Sequence, residues 1–142
     1  MPMTHLRAYM TFNGNCREAM SFYKHCFGGK LHIQPLKGSP MAEGLPPKMK
    51  DDVLHATLAS RNIILMGSDM VGGNGLHQGN AISLLLVCGT EAELKKHFRN
   101  LSAQGHSTHP IRSTFWGALF GGLRDKYGHH WLLHHQKTTK LK

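Results

Sequence analysis

Two helical segments of this chain match one another at a fixed distance, and that match limits the folds open to it. In NCREAMSFYKHCF, residues 15 to 27, Ala19, Phe22, Tyr23, Cys26 and Phe27 fall at i, i+3, i+4, i+7 and i+8 and form one apolar stripe. Asn15 is placed to cap the first turn, Glu18 three residues on completes a capping-box-like pair, and Gly28-Gly29 stops the helix. A second segment, about 91 to 103, has Thr90 as its cap, Glu93 three residues on, Leu94, Phe98 and Leu101 as its stripe, and Gly105 after its end. Asn15 and Thr90, Glu18 and Glu93, Ala19 and Leu94, Tyr23 and Phe98, and Cys26 and Leu101 are each 75 residues apart, which is an internal repeat.

The flanking segments repeat as well. An apolar strand precedes each helix, Leu6 to Phe12 and Ala81 to Cys88, and three short strand candidates follow it. In the first half these are Lys30 to Leu36, Val53 to Ala59 and Ile63 to Met66; in the second they are Ser107 to Ile111, Ala118 to Leu123 and His129 to His134. Each half reads strand, helix, strand, strand, strand, so the expected fold class is α+β, with helices covering one face of curved sheet and a cleft on the other. We read one domain over residues 1–136, with modules at about 6–68 and 81–134, a linker at 67–80 and a basic tail at 137–142. The Pro/Gly loop from Gly38 to Met49 is a lid candidate, although surface loops without a role are commoner.

Composition narrows the function classes. A chain of 142 residues, 40% hydrophobic, can bury a core without disulfide or metal support. Its three cysteines, Cys16, Cys26 and Cys88, are an odd count without a CxxC spacing and suit a reducing cytoplasm. The first ten residues hold no apolar h-region, and the run Leu84 to Cys88 is far too short to span a bilayer, so the expectation is a soluble, unexported protein with no membrane partner. A formal charge of +9 draws anions, whether phosphorylated metabolite, carboxylate or nucleic acid. The basic residues are scattered and no groove-reading motif accompanies them, which weighs against a specific nucleic-acid partner.

Three stretches, YMTFNGNCREAMSFYKHCFGG at 9 to 29, LHATLASRNIILMGSD at 54 to 69 and TFWGALFGGLRDKYGHHWLL at 114 to 133, carry a resemblance. Over about residues 6 to 134 the chain resembles the PhnB-like branch, also labelled demethylubiquinone-methyltransferase-like, of the vicinal oxygen chelate superfamily. That superfamily includes glyoxalase I, extradiol dioxygenases and bleomycin-resistance proteins. The resemblance implies two βαβββ modules forming a cupped sheet, usually completed in a homodimer. In metal-using members it also implies an ion held in the cup by one residue from the first and one from the last strand of each module.

Transferred to this chain, those four positions are poor in donors. The glutamate expected four residues after the glycine of a D-x-x-G turn, here Asp125 to Gly128, falls on Leu132. The first-strand position falls on Arg7 or Ala8, its counterpart in the second module on Ile82 or Ser83, and the remaining one within Asn62 to Met66. None is a usual ligand. The histidine-rich segment DKYGHHWLLHH at 125 to 135 does not replace them on its own. On a regular strand His130 and His134 share a face but stand roughly 13 Å apart, too far to hold one ion. His130 shares the face of the absent glutamate, and His55 shares a face with Val53 and Thr57 opposite the apolar Leu54, Ala56 and Leu58. A His55/His130 pair is therefore the one imidazole constellation to consider, against two hydrogen-bonded histidines in a polar pocket.

Other candidates line the same expected cup. Arg7, Tyr9 and Thr11 alternate with Leu6, Ala8, Met10 and Phe12; Arg7 is a candidate anion partner and Tyr9 a candidate donor, against an exposed arginine and a core tyrosine. Trp116 and Phe120 flank Gly117 as a pocket wall or as core packing, and Trp131 reads as core. Asp69 reads as a turn former and Cys16, near a helix N-terminus, as a thiol without a partner base. The leading expectation is a small-molecule-binding protein without the family-type metal cofactor. A metal-dependent lyase or dioxygenase with a divalent ion around His55 and His130, and a basic nucleic-acid-associated protein, are the alternatives. Sequestration of a cationic drug is disfavoured by the charge.

Overall fold

The computed structural model describes residues 3–46, 49 and 51–137. The chain forms two compact units that meet between His77 and Gln78. The first contains β1 (Ala8–Thr11), α1 (Cys16–Phe27), β2 (Lys30–Pro35), β3 (Val53–Ser60) and β4 (Ile63–Ser68). The second contains β5 (Leu84–Val87), α2 (Glu91–Ser102), β6 (His106–Ser113), β7 (Ala118–Arg124) and β8 (His130–Gln136). The sheets run β1-β4-β3-β2 and β5-β8-β7-β6, each with one parallel pair, β1 with β4 and β5 with β8. Cys16 and Glu91 begin the two helices and Phe27 and Ser102 end them, so both helices keep the 75-residue offset of the sequence. The fold is α+β, two βαβββ units, as the repeat requires.

Each helix lies against one face of its own sheet, α1 mainly on β3 and α2 mainly on β7. Cys16, Ala19, Met20, Tyr23 and Cys26 are buried beneath α1, and Leu94 and Leu101 beneath α2. The stripe of α1 is thus rotated slightly from the one read in the sequence: Met20 is buried while Phe22 and Phe27 are only half-buried. Trp131, 2% exposed, belongs to the core of the second unit. The first strand is shorter than expected, beginning at Ala8, and Leu6, placed by alternation on the core side, is 98% exposed. The alternation argument applies only where a ladder holds the pleat. β4 runs on to Ser68, so the first residues of the segment read as a linker are strand. In the 38–49 loop Pro40–Ala42 is a 3-10 turn with Ala42 buried; residues 47 and 48, and 138–142 of the basic tail, lie outside the described residues. Among the described residues no helix is long and apolar enough to cross a membrane.

Glycine solves the same steric problem in both units. After α1, a Cβ on Gly29 (φ +89°) would collide with the carbonyl oxygen of Ala59 and with Ser60 at the end of β3. After α2, a Cβ on Gly105 would collide with the carbonyl oxygen of Arg124 at the end of β7. Only a residue without a side chain lets the chain turn from helix into strand this close to its neighbour.

A buried carboxylate organises each unit. Asp69, 7% exposed, follows β4 and accepts hydrogen bonds at Oδ1 from the N–H groups of Gly14 (2.9 Å) and Cys16 (3.0 Å), and at Oδ2 from the N–H of Val53 (2.8 Å). It therefore caps the start of α1 and fixes the start of β3. The Asn15 side chain makes no cap hydrogen bond, which corrects the local capping box; a full negative charge at the positive end of the helix is the stronger acceptor. In α2 the expected local cap is present, Thr90 Oγ1 accepting from the Glu93 N–H at 3.0 Å. Asp125, 2% exposed, accepts at Oδ1 from the N–H groups of Tyr127 (2.9 Å) and His129 (3.1 Å), and at Oδ2 from Trp131 Nε1 (2.9 Å).

Removing the Asp69 carboxylate strands three N–H groups, so Asp69→Ala should lower unfolding stability by about 3 kcal/mol, whereas Asn15→Ala should cost about 0.5 kcal/mol or less. Urea denaturation of both variants checks this, and equal losses would contradict the assignment of the cap to Asp69. Burial also pushes the His129 imidazole below its ordinary value, a shift that the Asp125 charge opposes and His130 reinforces, and burial pushes His97 down in the same direction. Their unfolded forms take up protons first, so the contribution is complete above about pH 6.5 and is lost as pH falls through and below that value. The urea midpoint should fall between pH 7 and pH 5.5, and should fall less in the His97→Gln/His129→Gln variant.

Candidate functional site

Residues directly opposite in a ladder share a face, so the register gives the composition of the side of each sheet turned away from its helix. In the first unit Tyr9 pairs with Met66, Met66 with Thr57, and Thr57 with His32, while His55 pairs with Gln34. Tyr9, 53% exposed, holds its ring 5.9 Å from that of His55, and Thr57 Oγ1 is hydrogen-bonded to His55 Nε2 at 3.1 Å. Tyr9, His55 and Thr57 thus form one polar cluster. Thr11 shares this face farther along β1, beside Ser68. Val53, read as part of the same face, is fully buried at the strand start where Asp69 holds its N–H. Arg7 is exposed and lies before the ladder begins.

In the second unit three rows cross β8, β7 and β6. His134, Phe120 and Arg112 make the first; Leu132, Gly122 and His109 the second; His130, Arg124 and His106 the third. Beside the first row is an open recess of about 370 Å³ lined by Thr108, His109, Arg112, Ser113, Thr114 and Phe120. At the other end of β6 and β7 a second recess of about 220 Å³ is lined by Gln104, His106, Arg124, Asp125 and Lys126. Phe120 therefore occupies a recess wall. Trp116, 47% exposed, lies in the turn before β7, packed edge-on against Phe115 with ring centroids 4.8 Å apart, and is not among the residues lining either recess.

His109, Arg112 and Arg124 were not singled out from the sequence, and His134 was considered only as a metal partner for His130. β6 continues to Ser113, two residues past the expected end at Ile111, and its register shifts twice, between Ser107 and His109 and between His109 and Arg112. Pro110, which has no N–H to give a ladder, lies in the second shift. Counting odd and even along HSTHPIRS misplaces His109, because the first bulge reverses the parity and the second restores it for Arg112. One signal was readable: all eight acidic residues lie outside the eight strands, so neither sheet carries a carboxylate on its strands.

The four family metal positions do not fit a divalent ion. Leu132 lies on the open face opposite Gly122, Ala8 faces the helix side with Leu65, and Ile82 and Ser83 precede β5. Asn62 precedes β4, which offers only apolar side chains from Ile63 to Met66. Among the described residues no three His, Cys, Asp or Glu side chains gather as a metal-binding group. His55 belongs to the first unit and His130 to the second. The cysteines are no better placed as nucleophiles. Burial, reinforced by the Asp69 charge, pushes the Cys16 thiol up to about 12, overriding its position at a helix N-terminus, and burial likewise pushes Cys88 up to about 11.

The family model described as 3-demethylubiquinone-9 3-methyltransferase matches residues 4–134. The crystal structure of protein PA1353 from Pseudomonas aeruginosa is 32% identical, covers 96% of this chain and 100% of its own, and superposes with a TM-score of 0.84. A putative 3-demethylubiquinone-9 3-methyltransferase, PhnB protein, from Bacillus cereus is 31% identical over 93% of this chain and 99% of its own, with a TM-score of 0.72. Protein YjdN of Escherichia coli (strain K12) is 29% identical over 90% of this chain and 92% of its own. The fold alone is shared with a glyoxylase/bleomycin resistance protein/dioxygenase domain from Frankia sp. EAN1pec, 13% identical over 98% of this chain and 96% of its own, with a TM-score of 0.61. The chain belongs to the family described as 3-demethylubiquinone-9 3-methyltransferase, the PhnB-like branch built on the glyoxalase/bleomycin-resistance/dioxygenase fold.

Proposed function

We propose that this protein binds a small anionic molecule on the open faces of its sheets, against an aromatic wall and without the metal ion used elsewhere on this fold. The observation that carries the reading is the recess beside Phe120. There a guanidinium, an imidazole and the hydroxyls of Thr108, Ser113 and Thr114 surround an aromatic ring, on a sheet whose strands carry no carboxylate. A guanidinium fork suits a carboxylate or phosphate group, hydroxyls supply further hydrogen bonds, and the ring takes apolar surface. The polar cluster of Tyr9, His55 and Thr57, with Thr11 farther along β1, offers the first unit's sheet as a second ligand-facing surface of the same kind. The proposal is one of binding and assigns no reaction.

Two further parts of the reading rest on surface and cysteine chemistry. Ile82, Leu85 and Val87, all exposed at or beside the open edge of β5, suit burial against a second copy of the chain in a homodimer. Three buried free cysteines suit the reducing cytoplasm.

The test uses benzoate, benzamide and benzylammonium, which are nearly equal in size and differ in charge. Protein-observed NMR titration should show benzoate binding tightest and benzylammonium not at all. Phe120→Ala should weaken benzoate and benzamide alike, by about tenfold, the order of 1 kcal/mol for an aromatic contact. Arg112→Gln should weaken benzoate and leave benzamide unchanged. Equal binding of the three probes, or indifference to both substitutions, would refute the reading.

A further inference from the structure

The open face of the second sheet has two cationic ends. One is the row of His134, Phe120 and Arg112, and the other is the row of His130, Arg124 and His106. Phe120 and Arg124 are four residues apart on β7, which sets the rows about 13 Å apart. Each end has its own recess and its own lysine. Lys137 Nζ donates to Ser113 Oγ at 2.9 Å, and Ser113 lines the recess at Arg112. Lys126 lines the recess at Arg124, with its ammonium 5.5 Å from the Tyr127 ring centroid. Asp125 is the one carboxylate among the residues lining the two recesses, and it accepts hydrogen bonds from Tyr127, His129 and Trp131 on its two oxygens; Glu91 lies within electrostatic reach of Lys137 and is ion-paired with Lys95.

Between the ends the face is partly apolar. A Cβ on Gly122 would stand 3.0 Å from His109 Nδ1, 3.1 Å from Leu132 Cδ2 and 3.2 Å from Thr108 Oγ1, so neighbouring side chains already fill the space above the glycine. The surface between the two ends is therefore formed by Leu132, His109 and Thr108, with Gly122 buried beneath them. Leu132 supplies the apolar floor.

We propose that this face takes an elongated organic dianion, with a carboxylate or phosphate group at each end and an apolar body across Leu132 and the His109 ring. This rests on the anion-binding reading above and makes it specific: the ligand is two-headed, and Arg112 and Arg124 each hold one head. A monoanion of the same length engages one end at a time, and a short dianion cannot span the rows.

Isothermal titration of the full chain with decanedioate, decanoate and butanedioate tests this. Decanedioate should bind at least about tenfold tighter than either of the others, a gain of about 1.4 kcal/mol. Arg112→Gln and Arg124→Gln should each bring decanedioate down to the affinity of decanoate, with circular dichroism and melting temperature unchanged because both side chains are exposed. No decanedioate binding at millimolar concentration, equal affinity for decanedioate and decanoate, or loss on only one of the two substitutions overturns the two-headed ligand. If that occurs while benzoate still depends on Phe120 and Arg112, the single-ended anion site stands alone; if benzoate is indifferent as well, both readings fall.

Discussion

Two carboxylates are buried in this chain, and each gathers backbone that hydrophobic burial alone would leave unfixed. Asp69 joins the start of α1 to the start of β3, segments separated by a helix, a strand and a long loop. Asp125 closes the turn into β8 and positions the indole that fills the second core. An ionised group in so dry a position is tolerated only when its lone pairs are met by donors, and here the donors are main-chain N–H groups and an indole. The negative charge is used to order the backbone, and the open faces of the sheets are left to positive and neutral side chains.

That division of charge shapes what the molecule can hold. With every acidic residue off the strands, the faces turned away from the helices carry His, Arg, Thr and aromatic groups with no carboxylate among them on the ladder. A cation meets no counter-charge there, whereas an anion meets donors at several points. The Cys16 and Cys88 thiols are poor nucleophiles, since burial raises both above the ordinary thiol range. The same fold carries metal chemistry elsewhere, but here no carboxylate or imidazole stands at the positions the family resemblance assigns to ligands, and fold does not transmit reaction.

Much of the architecture was legible in the residues. The apolar period of both helices, the Thr90 cap and the five matched pairs at one offset gave both βαβββ units, because each depends on neighbours within a few turns of chain. The alternation of HWLLHH placed Trp131 and Leu133 inward and His130 and His134 outward, since a regular ladder preserves parity. Tyr9 and His55 were named from parity too, and they meet. Where the ladder is absent or bulged the same reasoning failed. Leu6 precedes the first hydrogen-bonded pair and faces solvent, and His109 lies between two bulges in β6, where the parity is reversed.

The sequence by itself determined the periodic elements, their duplication and the sign of the charge, because these are properties of local spacing and residue identity. Only the tertiary structure decided that Asp69 rather than Asn15 caps α1, that Gly29 and Gly105 sit against neighbouring backbone, and that Arg112 and Arg124 stand at opposite ends of one face. Those facts depend on strand register and on contacts between residues far apart in the chain. The hydrogen bond from Cys16 to Asp69 spans 53 positions, and no local pattern encodes which distant carboxylate will arrive at a helix end.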